Sequence, residues 1–131
     1  MTRGMTLHAA VWIDHHEAKI FHLVGGDFDE KTVHGPPKHH LHHSARKGQE
    51  SHAVQEYFDA VIAALADAEE IVVAGPGPAK MELVRHKHKH APKVEQRVVG
   101  IESAGHPSDG QFVEHLRRYF KAKDRMLGIS R

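Results

Sequence analysis

Two apolar segments joined by a short polar link constrain this chain more than any other feature. Residues 8–14 (His8, Ala9, Ala10, Val11, Trp12, Ile13 and Asp14) read as a buried strand. Residues 18–24, with Ile20, Phe21, Leu23 and Val24, read as a second. The polar link Asp14-His15-His16-Glu17 between them is that of a hairpin. Gly25-Gly26-Asp27 makes another turn, and residues 30–34 form a weaker third strand around Thr32 and Val33. The chain therefore opens as an antiparallel meander, which Gly35-Pro36-Pro37 ends.

The rest alternates between helix and strand. Residues 35–50 are polar, basic and without periodicity, and are expected to form a long mobile loop. Residues 51–68 carry Val54, Tyr57, Phe58, Val61, Ile62 and Leu65 at helical spacing. Ile71-Val72-Val73-Ala74 is a short apolar run that suits a central parallel strand. Gly75-Pro76-Gly77 turns the chain, and Pro78 suits a first helical position, where its missing N–H is not needed. That helix contains Met81, Leu83 and Val84 and stops before Pro92. Residues 95–101 predict a further strand. Ser108 and Gln111 form a capping box that opens a last helix with Phe112, Val113, Leu116, Tyr119 and Phe120. The tail, residues 124–131, is expected to fray. The order β-β-β-α-β-α-β-α predicts an α/β fold with a mixed five-stranded sheet and helices packed against it, compatible with a ribonuclease H-like fold. With 131 residues in all, one domain is expected, with its core at about 8–121.

Composition narrows the chemistry. There is no cysteine, which excludes disulfides, thiolate metal sites and thiol nucleophiles and fits a reducing cytoplasm. The longest apolar runs, 60–66 and 71–74, are far shorter than the ~20 residues that span a bilayer. Residues 1–7 carry one Arg but lead into no apolar stretch long enough for a secretory signal. The formal net charge of +1 omits 15 histidines. An exposed imidazole has an ordinary pKa of ~6.5, so mild acidification makes the molecule strongly cationic and favours a polyanionic partner. Nothing in the sequence sets an oligomeric state.

Four constellations bear on function. Asp14, at the end of the first strand, is where a two-metal nuclease would place one carboxylate. Glu56 and Asp59 lie on the helix face, but the strand at 71–74 ends without an acid, so Asp14 reads better as a turn residue. The turn at 75–78 contains two prolines that cannot donate N–H groups, and Lys80 is followed by Met81 rather than Ser or Thr, so a phosphate loop is disfavoured. The third is the loop with Lys38, His39, His40, His42, His43, Arg46, Lys47, Gly48 and Gln49. Its cations suit phosphates and its imidazoles suit stacking on bases. Adjacent histidines on a loop bind metals adventitiously more often than as a dedicated site, so no metal or other cofactor is expected. The fourth is Arg85-His86-Lys87-His88-Lys89-His90, which complements a helix C-terminus and offers Arg85, Lys87 and Lys89 as a second phosphate-binding surface.

The ordered set of motifs resembles a known family. The stretch Ala10-Val11-Trp12-Ile13-Asp14-His15-His16-Glu17-Ala18-Lys19-Ile20-Phe21 is similar to the opening hairpin of the middle domain of archaeal and eukaryotic class 1 peptide release factors. The basic loop lies where that family carries its lysine- and glycine-rich loop ending in Gly-Gly-Gln. Ile71-Val72-Val73-Ala74-Gly75-Pro76-Gly77-Pro78-Ala79-Lys80 resembles its strand, turn and Lys, and Asp109-Gly110-Gln111 stands where its last helix opens. The likeness covers about residues 8–120 and extends to small bacterial proteins labelled "translational machinery protein". It implies a ribonuclease H-like fold and association with the peptidyl-transferase region of the ribosome or with tRNA. It also implies a role for Gln49 in hydrolysis of the peptidyl-tRNA ester. Only Gly48-Gln49 matches, and Lys47 replaces the first Gly, which alters the backbone freedom that placement of Gln49 requires. Three functions follow as expectations: a ribosome- or tRNA-binding module, a peptidyl-tRNA esterase using Gln49, and a His-rich metal-binding or pH-responsive protein.

Overall fold

In the computed structural model, residues 6–36 and 52–126 are described. The first three elements are β1 (Thr6–Ile13), β2 (Glu17–Val24) and β3 (Asp27–His34). They pair antiparallel in sequence order, with Val11 opposite Ile20 and Phe21 opposite Glu30. Helix α1 (His52–Leu65) leads into β4 (Ala68–Gly75). Helix α2 (Ala79–His90), a single turn α3 (Pro92–Glu95), β5 (Val98–Ser103) and α4 (Asp109–Met126) complete the described chain. The sheet order is β3-β2-β1-β4-β5, with β4 parallel to both β1 and β5. The mixed five-stranded sheet expected from the sequence is thus present.

Helices cover both faces. Ala9, Val11, Ile13, Ile20, Ile71 and Val73 point to one side, where α1 and Leu83 of α2 pack on them. Ala10, Trp12, Phe21, Leu23, Val72 and Ala74 point to the other, against Phe112, Val113, Leu116 and Phe120 of α4. β1 is covered on both faces, which is why its sequence reads as a continuous apolar run. β3, an edge strand, exposes Asp29, Glu30 and Lys31, charges that protect an edge from pairing with other chains.

Several boundaries differ from the sequence expectation, each for a physical reason. α1 ends at Leu65 because β4 starts early, pairing Ala68 with Thr6. The Arg97 guanidinium donates to the carbonyls of Ala66 and Ala68 and holds that junction. Residues 92–95 form a helical turn, so the strand expected at 95–101 starts only at Val98. Pro92 opens the turn, Val94 is buried, and the N–H of Glu95 donates to the Ala91 carbonyl. The capping box forms as expected: the Gln111 N–H donates to Ser108 Oγ, and the Ser108 N–H donates to Gln111 Oε1. Helix α4 runs to Met126, past the point where fraying was expected.

Candidate nucleic-acid interface

The turn between β1 and β2 organises one end of the molecule. Asp14 Oδ1 accepts hydrogen bonds from the N–H groups of His16 and Glu17, at 2.8 and 2.9 Å. Its carboxylate therefore caps the hairpin turn, as a turn residue does. Glu56 and Asp59 are paired elsewhere, with His52 and His86, so no carboxylate cluster forms around Asp14 among the described residues.

Three other elements are tied to this turn. The Gly35 N–H donates to the His16 carbonyl at 2.7 Å. Gly35 fits so closely that a Cβ there would stand 2.6 Å from the His15 carbonyl oxygen. The Tyr57 hydroxyl of α1 donates to the Asp14 carbonyl at 2.8 Å. Burial of that phenol, with Asp14 and Glu17 nearby, raises its pKa and keeps it a donor. His15 Nε2 lies 2.8 Å from Glu82 Oε1 in the first turn of α2. The two sides of the basic segment, Gly35 before it and α1 after it, are thus held to one hairpin turn. Lys38, His39, His40, His42, His43, Arg46, Lys47, Gly48 and Gln49 themselves lie outside the described residues.

Helix α2 divides its cations. Arg85 and Lys89 are exposed and follow Glu82 by three and seven residues, so they share its stripe. Lys87 was expected on this surface, but it is fully buried. Leu83, His86 and Lys87 are spaced i, i+3, i+4 and turn inward together. That spacing was readable in the sequence, but the uninterrupted cationic run 85–90 obscured it. Lys87 Nζ has no hydrogen-bond partner among the described residues. Burial lowers its pKa to about 8, opposed by attraction to Glu95. His86 is likewise buried, its Nε2 2.7 Å from Asp59 Oδ1 of α1 and its ring against Phe58. Lys80 donates to the Gly77 carbonyl at 2.7 Å, closing the turn that precedes α2 rather than facing a phosphate.

On the opposite side of the hairpin, Lys19 lies 3.3 Å from Asp109 at the start of α4. That hydrogen bond raises the Lys19 pKa. The Glu30 pKa is raised chiefly by desolvation and then by its hydrogen bond to Asp109. A cavity of about 230 Å³ adjoins this group, lined by Trp12, Phe21, His106 and Phe112 among others. Sequence reasoning did not single it out, because its members come from β1, β2, the β5–α4 connection and α4, far apart along the chain.

No protein-family model and no curated protein matches the sequence. Solved structures do. Pelota from Archaeoglobus fulgidus superposes with a TM-score of 0.61 and 21% identity, over 85% of this chain and 30% of that one. Pelota from Thermoplasma acidophilum gives 0.58 and 26%, over 85% and 32%. The archaeal translation termination factor aRF1 gives 0.54 and 20%, over 76% and 30%. The chain spans about a third of the length of each. Its mixed sheet and flanking helices form a ribonuclease H-like α/β domain, similar to one domain of these release-factor-like proteins.

Proposed function

We propose that this chain is a translation-associated binding module that contacts the ribosome or tRNA. Its contacts are the basic, His-rich segment 38–49 and the exposed cations Arg85 and Lys89. The observation that supports this best is the fold shared with Pelota at 26% identity over 85% of this chain. A likeness to aRF1, a translation termination factor, points the same way. In this reading the chain corresponds to the middle, Gly-Gly-Gln-bearing domain of release factors and is akin to the bacterial translational machinery proteins. It acts in the cytoplasm, where ribosomes are. No helix among the described residues is long and apolar enough to cross a membrane.

Binding is preferred to hydrolysis by Gln49, because Lys47 stands in place of the first Gly of the family motif. Both sides of the segment are fixed to the Asp14–Glu17 turn, and α2 begins at the same turn. Arg85 and Lys89 therefore share the α1–α2 side of the sheet with the segment's attachment points.

Co-sedimentation with ribosomes and with tRNA, at low and moderate salt, tests the proposal. The comparison is the triple variant Lys38→Ala, Arg46→Ala, Lys47→Ala. Saturable binding that weakens with salt and in the variant is expected. Equal binding to any polyanion, or binding indifferent to the three substitutions, overturns it.

A further inference from the structure

A second cluster lies on the other face of the sheet. His8 on β1 and Glu70 on β4 are register partners in adjacent parallel strands. Asp124 reaches them from α4. One ligand atom from each lies within 4.8 Å of the other two. His8 Nε2 stands 3.3 Å from Glu70 Oε1 and 3.4 Å from Asp124 Oδ2.

Those separations are informative. The pairs His15–Glu82, His86–Asp59 and His115–Glu102 stand at 2.7–2.8 Å, as charge-assisted hydrogen bonds do. Longer separations occur at His22–Asp67 and His88–Glu95, 3.2 and 3.3 Å, and at His8, where two carboxylates rather than one face the ring. Two donors bound ~2.0–2.1 Å from one tetrahedral ion lie roughly 3.3 Å apart. The surroundings favour an ion as well. The Asp124 side chain is 5% exposed and that of Glu70 15%. Glu70 Oε1 is shielded from solvent and accepts no hydrogen bond among the described residues. One imidazole nitrogen and two carboxylate oxygens make a donor set that suits a divalent cation. The His8 ring is fixed by stacking on Phe120, with centroids 4.1 Å apart and planes 17° from parallel. All three residues stand on strands or a helix, the rigid support that dedicated sites need.

We propose that His8, Glu70 and Asp124 bind one divalent transition-metal ion, with zinc the best match to one imidazole nitrogen and two carboxylate oxygens. The ion ties β1 and β4 to α4, and its fourth position is left to water. Because His8 projects toward α4 while Arg85 and Lys89 stand on α2, the site is separate from the proposed nucleic-acid interface and does not depend on it.

His39, His40, His42 and His43 also offer imidazoles to zinc, so the test starts from the full chain with these four replaced by Ala. Calorimetry with Zn²⁺, visible absorption with Co²⁺ and thermal melting with either ion are measured in that background. One saturable equivalent and a raised Tm are expected. Glu70→Gln and Asp124→Asn should each weaken binding by about tenfold or more, at least the loss seen when a ligand's supporting partner is removed. The proposal is overturned if the histidine-substituted chain takes up no ion, or if both variants bind it as tightly as their parent. Should Asp124→Asn fail to fold, Glu70→Gln, at the more exposed position, decides alone.

Discussion

His86 of α2 and Asp59 of α1 meet at 2.7 Å, the imidazole buried and the carboxylate largely in solvent. The pair pins two helices that pack on the same face of the sheet. Replacing His86 by Ala removes both the hydrogen bond and the ring packed on Phe58. A loss of about 2–3 kcal/mol is expected by denaturant unfolding. Asp59→Asn keeps an acceptor and leaves the ring in place, and should lose under about 1 kcal/mol.

Lys87, one residue on, predicts the opposite sign. Its folded pKa of about 8 lies below its ordinary 10.5. The folded state thus disfavours the charged form, and the full penalty applies below pH 8. Stability should rise between pH 8 and 10.5, where the unfolded chain holds the proton and the folded chain does not. Lys87→Met should stabilise the protein by roughly 3 kcal/mol at pH 7, and less as the pH passes 8. Unfolding at several pH values checks this.

The surface cations should act on affinity alone. Arg85→Ala with Lys89→Ala is expected to leave the Tm within a degree or two, since both side chains are exposed. It should reduce the salt slope of ribosome or tRNA binding by about two, one per lost phosphate contact. Lys87→Met should leave that slope unchanged, which separates the buried cation from the exposed pair.

Glu30 carries a smaller effect with a defined sign. Its pKa is raised by desolvation and by Asp109. A raised carboxyl favours the protonated folded state, so its stabilising contribution is present in acid and lost as pH rises through the folded pKa. Glu30→Gln should therefore raise the Tm modestly at pH 7. The difference should vanish in acid, where both side chains are neutral.

Removing the capping box tests the start of α4. Ser108→Ala frees the Gln111 N–H and should destabilise by about 1 kcal/mol.

Most of the fold was legible because local patterns and tertiary packing agree. The meander, the helical spacing of Val54 to Leu65 and the box at Ser108 each announce themselves within a few residues. Boundaries were harder where distant partners decide them. Arg97 fixes the junction at Ala66, and Thr6 draws β4 back to Ala68. Candidate site residues divide in the same way. Arg85 and Lys89 are exposed as expected. Lys87 is not, because i, i+4 spacing from Leu83 outweighs its charge. The cluster of His8, Glu70 and Asp124 left no trace in the sequence. Its members are brought together only by a parallel strand pairing and the closing helix.

The joint fastening of Gly35 and Tyr57 to the Asp14–Glu17 turn has a consequence for how the chain can vary. The scaffold fixes where the segment between them departs and returns, without reference to what it contains. Doubling the length of such a segment adds only ~0.6 kcal/mol of closure entropy. Substitution or extension within it leaves both fastenings in place, so the sequence of the segment can change while the sheet and its helices are held as they are.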